Sequence, residues 1–223
     1  MDGSSRSVKT RSAVRIEPAL GHRGSLVEGS LAGTFVPGAF GFGVIAPPHP
    51  LYGGSKDSPV VGEMATALGG VDVATLGFDW RGVGTSAGSP TGDEAKALAD
   101  YAAALAFHAR DREAPCFACG YSFGAAVAIR AAIADPAVEY LVLVAPPASM
   151  IDPDHLARFR GRVFLAVGDG DALVDPAALK ALVSELDSAH FCLLARTDHF
   201  FMGDGLPELG REFAGWLERT LAR

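Results

Sequence analysis

Ser122 sits at the centre of Gly120-Tyr121-Ser122-Phe123-Gly124, where the short apolar run Cys116-Phe117-Ala118-Cys119 gives way to an alanine-rich helical pattern. A serine at such a strand-to-helix turn is held exposed on a strained bend, which is a nucleophile's position. The residues two before and two after it must be small or the strand and helix collide, and both are glycine. Serine's hydroxyl is a poor nucleophile at neutral pH. A base must take its proton, and a carboxylate must orient that base and stabilise its charged form.

Both partners should follow Ser122 and stand just past strands, because sites in parallel sheets gather at the carboxyl ends of the strands. His199 qualifies, in the segment Arg196-Thr197-Asp198-His199-Phe200-Phe201 after the last apolar run. Its rival His190 precedes a strand and reads as a surface residue. For the acid, Asp169, Asp171 and Asp175 compete. Asp175 has another explanation as the cap of a helix that begins at Pro176, and Asp169 as a turn residue between two glycines. The cluster is no calcium loop, since Lys180 stands where the closing glutamate belongs.

The elements that must position these residues alternate. Ala13–Ile16, Ser25–Glu28 and Leu31–Val36 are β-leaning pieces suited to an antiparallel N-terminal edge. Continuous apolar runs then mark strands covered on both faces, at Phe42–Ala46, Val71–Phe78, Pro115–Cys119, Tyr140–Val144, Val163–Val167 and Phe191–Leu194. Between them lie helical patterns. Ser58-Pro59 opens one, with Val60, Val61, Met64, Ala65 and Leu68 on its apolar face, and Gly69-Gly70 closes it. Thr91 and Glu94 form a capping box for the next, with Ala95, Leu98, Ala99, Ala102, Leu105 and Ala106 as its stripe and His108 at its end. Phe123–Ala134 follows the serine, Pro153–Phe159 reads as one or two turns, and Leu179, Leu182, Val183 and Leu186 line the helix after Asp175. Leu209, Phe213, Trp216, Leu217 and Leu221 mark the closing helix. This alternation predicts a mostly parallel sheet wrapped by helices.

The glycine-rich stretch Asp79-Trp80-Arg81-Gly82-Val83-Gly84-Thr85-Ser86-Ala87-Gly88 has its glycines at the wrong offsets for a dinucleotide fingerprint and lacks the Lys-Ser/Thr pair of a P-loop. A phosphate cradle is not expected.

Composition narrows the partners. With 223 residues the chain suits one domain, expected over 13–223 behind a frayed, flexible 1–12. The 26 acidic residues exceed the 19 basic ones, and no basic cluster offers a footprint for nucleic acid or an anionic membrane. Met1 to Ser12 is polar and reads as neither signal nor transit peptide, and no apolar run approaches the roughly 18 residues of a membrane span. The three cysteines read as free thiols, Cys116 and Cys119 buried in the strand before the serine, which favours a reducing cytoplasm.

Five segments together resemble the α/β-hydrolase superfamily from about Phe40 to the end: His49-Pro50-Leu51-Tyr52-Gly53-Gly54, the Asp79 to Ser86 loop, Gly120-Tyr121-Ser122-Phe123-Gly124, Gly168-Asp169-Gly170-Asp171 and Asp198-His199-Phe200-Phe201. The chain is most similar to small lidless members with a His-Pro-His-Pro segment, although here that segment reads Pro47-Pro48-His49-Pro50. The resemblance implies a serine hydrolase with Ser122, Asp171 and His199 as its triad, Asp171 being the residue that matches the family's Gly-x-x-Asp placement. It implies an oxyanion hole of two backbone N–H groups. Phe123 supplies one; Pro50 has none to give, so the other is expected from Leu51, with His49 in reserve.

Only Ala145 to Arg160 separates the two strands between which larger relatives insert a lid, so an open cleft is expected, rimmed by Tyr52, Tyr121, Met150, Leu173, Phe200 and Phe201, with Tyr52, Tyr121 and Phe200 as substrate contacts. The expected reaction is hydrolysis of a small carboxylic ester, with short acyl groups, through an acyl-enzyme. It calls for no metal and no cofactor, because water completes the second half-reaction. The same triad would serve a thioesterase, peptidase or perhydrolase, and the alternative of another class is a non-catalytic binding protein on the hydrolase fold.

Overall fold

Strands β1 (Ser12–Ile16), β2 (Leu31–Val36), β3 (Gly41–Ala46), β4 (Val73–Phe78), β5 (Cys116–Tyr121), β6 (Val138–Val144), β7 (Arg162–Gly168) and β8 (Ala189–Leu194) form one sheet in the order β1-β2-β4-β3-β5-β6-β7-β8. The computed structural model describes residues 9–17, 29–107 and 114–222. Expectations for Ser25–Glu28 and His108 fall outside these residues. β1 and β2 pair antiparallel at one edge, and every pairing from β4 to β8 is parallel. The result is the expected mostly parallel sheet with an antiparallel N-terminal edge.

Around it lie α1 (Pro59–Gly70), α2 (Glu94–Ala106), α3 (Phe123–Ala134), α4 (Pro153–Leu156), α5 (Pro176–Ser184) and α6 (Gly205–Leu221). Every residue of β3 and β4 is buried, because successive side chains enter different layers. Val44, Leu76 and Ala118 pack with α2, α3 and α5. Ile45, Val73 and Phe117 pack with α1 and α6 on the other face. Each large side chain so buried contributes about 1.5–3 kcal/mol, which is why these strands read as unbroken apolar runs. Among the described residues, no helix is long and apolar enough to cross a membrane.

Several local expectations need correction. β4 begins at Val73, not Val71, because the chain turns at Asp72 with φ 64 and the Val71 N–H stays bonded to Leu68 O. β1 starts one residue early, with Ser12 opposite Phe35. The helix α2 is capped by Asp93, whose carboxylate accepts from the Lys96 N–H at 2.9 Å, and not by a box of Thr91 and Glu94. Its buried face is Ala97, Asp100, Tyr101 and Ala104, while the expected members Ala95 and Ala106 are exposed. His190 lies within β8 and stacks on Phe164, with ring centroids 5.8 Å apart.

The face that α2 presents is chosen by polar groups. The Arg81 guanidinium reaches Asp100 through Nε at 3.1 Å and Nη2 at 2.8 Å, and the Tyr101 hydroxyl donates to Val44 O or Cys119 O at 3.1 and 2.9 Å. These bonds tie α2 and the loop after β4 to the centre of the sheet. Cys116 and Cys119 are both free, and burial pushes the Cys116 thiol up to about 12 and raises Cys119 well above the ordinary thiol value, so both stay protonated.

Asp79, just past β4, accepts from the Lys56 N–H at 2.8 Å and lies 3.5 Å from its ammonium. Burial outweighs that pairing and raises its pKa from the ordinary 3.8. The folded chain thus holds this proton more tightly than the unfolded one. The stability it contributes is complete below 3.8 and is lost as pH rises through the folded value. Asp79→Asn should therefore gain stability relative to wild type as pH rises above about 4 in urea denaturation. A difference that stays flat or falls over that range contradicts the dominance of burial.

Candidate active site

The turn between β5 and α3 holds Ser122 at φ 55 and ψ −120, a conformation that costs a non-glycine residue about 1–3 kcal/mol. The surroundings enforce it. The Ser122 N–H donates to Val144 O at 2.8 Å, and a Cβ at Gly120 would come within 2.3 Å of the Gly124 carbonyl carbon. One at Gly124 would meet Pro47 O at 2.5 Å. Small residues on both sides are thus a steric requirement of the bend.

From the ends of β7 and β8 come the other two groups. His199 Nε2 is 3.1 Å from Ser122 Oγ, and His199 Nδ1 is 2.7 Å from Asp171 Oδ2. The other Asp171 oxygen accepts from the N–H groups of Leu173 at 2.9 Å and Val174 at 3.0 Å. Asp171 is buried and satisfied on both oxygens, so the carboxylate has a fixed direction. Asp175 caps α5 through the Ala177 N–H, and Asp169 lies 3.4 Å from the Thr197 N–H, so neither rival approaches the imidazole.

The two loops are locked to each other. Gly170 N–H donates to Thr197 O at 3.1 Å, and a Cβ at Gly168 would fall 2.0 Å from that same oxygen. The loop after β8 uses left-handed backbone at Arg196 (φ 52) and Phe201 (φ 56). It turns inward at Phe201, which is 2 % exposed and not on the rim as expected. Tyr121 is also removed from the rim. It is 4 % exposed, and its hydroxyl donates to His199 O at 2.8 Å, so it props the histidine from beneath. Burial and the carboxylates of Asp171 and Asp198 push its pKa up, which keeps it a donor. Its place beside the serine was legible in sequence, but its direction was not.

After β3, Pro50–Tyr52 forms a single 3₁₀ turn capped by His49. Leu51, expected to offer a free N–H, already donates it to His49 Nδ1 at 3.2 Å. The His49 imidazole lies 4.7 Å from Phe123 and 4.7 Å from Tyr52, centroid to centroid. Burial lowers its pKa, which favours the neutral ring whose Nδ1 can accept. Trp80, part of a family-like segment but given no role from the sequence, holds this loop: its Nε1 lies 3.1 Å from Pro47 O and 3.0 Å from Pro48 O. Phe123 N–H starts α3, where the first turn of a helix has no intrahelical acceptor.

The rim that remains is apolar and open. Tyr52 is 87 % exposed and Phe200 63 %, and Leu51, Leu173 and Met202 stand out with them. The imidazole stands between Ser122 Oγ and Asp171, where it can accept a proton from Oγ while the carboxylate fixes its orientation.

Residues 51–154 match the model of the family described as serine aminopeptidase, S33. An uncharacterized protein of Rickettsia prowazekii is 27 % identical over 186 residues, which is 78 % of this chain and 77 % of that one. A putative α/β hydrolase of Agrobacterium tumefaciens superposes with a TM-score of 0.82 at 26 % identity, over 94 % of this chain and 96 % of its own. A protein of Xanthomonas campestris described as an α/β serine hydrolase without a lid gives 0.80 at 27 % identity, over 96 % of each chain. Family model and superposed structures point the same way: this chain has the α/β-hydrolase fold and is similar to serine hydrolases without a lid.

Proposed function

We propose that this protein is a serine hydrolase that cleaves a small carboxylic ester through an acyl-enzyme on Ser122. The observation that carries this reading is the 3.1 Å and 2.7 Å pair of contacts that joins Ser122 Oγ to His199 and His199 to Asp171. In acylation, Oγ attacks the ester carbonyl as His199 Nε2 takes its proton. The alcohol then leaves with that proton, and Asp171 stabilises the imidazolium in between. Water repeats the sequence on the acyl-enzyme.

Negative charge gathers on the carbonyl oxygen in both steps. The Phe123 N–H is one donor to it. His49 N–H is the better second donor, since Leu51 N–H is held by the His49 ring. Each donor is worth about 3 kcal/mol of barrier. The site sits in a single domain, and its open rim favours short acyl groups with the rest of the substrate in solvent. The name of the matched family supports amide cleavage as the second reading.

A fluorophosphonate probe tests the proposal directly. Wild-type protein is expected to be labelled at Ser122, and Ser122→Ala to be silent. Failure of the folded wild type to label removes the enzyme reading, and equal labelling of the variant moves the nucleophile elsewhere. A panel of p-nitrophenyl esters, acyl-thioesters and amino-acid p-nitroanilides then separates the leaving-group classes.

A further inference from the structure

The reaction proposed above is directional, and the direction assigns work to the exposed aromatics. His199 Nε2 delivers its proton to the oxygen that departs, so the alcohol half of the ester must lie on the His199 side of Ser122. The carbonyl oxygen points to the opposite side, towards Phe123 and His49. Phe200 stands beside the imidazole, its ring edge-on to His199 at 5.6 Å between centroids. Tyr52 is on the other rim, against His49 at 4.7 Å.

Phe200 is exposed, yet its backbone is fixed. Phe201 N–H donates to Asp198 O at 3.2 Å, and Met202 N–H to Asp198 Oδ1 at 3.0 Å. Phe201 is driven into the core at φ 56, and the Tyr121 hydroxyl holds His199 O. Phe200 thus combines a fixed backbone with a largely exposed aromatic ring. It is a surface prepared for an apolar ligand, at little entropic cost on binding.

Resting on the ester-hydrolase reading, we infer that Phe200, with the exposed Met202 beside it, receives the alcohol portion of the substrate, so that esters of aromatic or bulky apolar alcohols are the preferred class. During acylation the Oγ bond forms first and charge moves to the carbonyl oxygen; the bond from the carbonyl carbon to the alcohol oxygen then breaks as His199 passes the proton taken from Oγ to the alcohol. Phe200 therefore acts before and during that step. It has no substrate group to hold once the alcohol has gone.

The test keeps the acyl group constant. Methyl, benzyl and cyclohexylmethyl acetates all pass through one acetyl-enzyme. In Phe200→Ala, kcat/KM for the benzyl and cyclohexylmethyl esters is expected to fall about tenfold relative to that for the methyl ester. The deacylation rate of the common acetyl-enzyme should match wild type. Leu193→Ala, an exposed apolar side chain away from the site, should leave the benzyl-to-methyl ratio where it is. A ratio unchanged in Phe200→Ala, or an altered deacylation rate, overturns the assignment while leaving the hydrolase reading in place. A wild type that forms no acetyl-enzyme overturns both.

Discussion

Ser122→Ala is expected to lower kcat for ester hydrolysis by about 10⁴- to 10⁶-fold with little change in stability. Alanine at φ 55 carries the same backbone strain as serine, and among the described residues the side-chain bond lost is the one from Oγ to His199 at 3.1 Å. The surviving rate would come from the oxyanion donors and from binding, which the substitution leaves in place. His199→Ala should cost about as much by itself, and the double variant no more than either, because in the proposed mechanism hydroxyl and imidazole act as one proton-transfer unit. Steady-state and single-turnover kinetics on a p-nitrophenyl ester measure all three. Additive losses in the double variant would mean that Ser122 and His199 contribute separately, against the proposed mechanism.

Asp100→Ala should be the most damaging change away from the site, at about 3–5 kcal/mol. Burial raises the Asp100 pKa in spite of Arg81, so desolvation is the larger influence on this carboxyl group. The pair is therefore a weak stabiliser when complete and a strong destabiliser when halved. Removing the carboxylate leaves a guanidinium whose side chain is 11 % exposed without its counter-charge, holding the Lys96 O at 2.9 Å, and it frees the Arg81 N–H that donates to Asp100 Oδ2 at 3.0 Å. For a chain of this length the loss corresponds to a fall in Tm of roughly 6–20 °C. Replacing both residues with Arg81→Met and Asp100→Leu should recover much of it, as apolar packing replaces the buried charges. Calorimetry on the two variants decides the matter. If the single variant matches wild type, the pair is solvated and the argument from burial fails.

Architecture was legible because it rests on features that neighbouring residues report together. Continuous apolar runs announced strands covered on both faces, and the helix at Phe123–Ala134 was read to the residue from its alanines and the turn before it. Ser122 was legible for a steric reason, since only Gly120 and Gly124 allow the bend. That an acid past β7 meets His199 was legible in outline, while the choice of Asp171 over Asp169 and Asp175 came only from the family resemblance. Parallel strands all point their carboxyl ends one way, so residues just past β5, β7 and β8 share an edge of the sheet.

Where side chains of similar hydrophobicity compete, the chain by itself does not choose. Alanine buries equally well on any face of α2, and Asp100 and Tyr101 turned that helix through bonds to residues distant in sequence. Phe200 and Phe201 are identical in type, and a left-handed turn sends one outward and the other into the core. Backbone donors follow the same logic. Leu51 N–H looks available until the fold of its loop brings the His49 ring over it.

The order of strands and helices and the bend at Ser122 were therefore determined by sequence alone, because local sterics and hydrophobic period suffice for them. Tertiary structure decided which aromatic meets the solvent, which N–H is already taken and which face of α2 is buried. Those outcomes depend on hydrogen-bond partners that only the assembled sheet brings within reach.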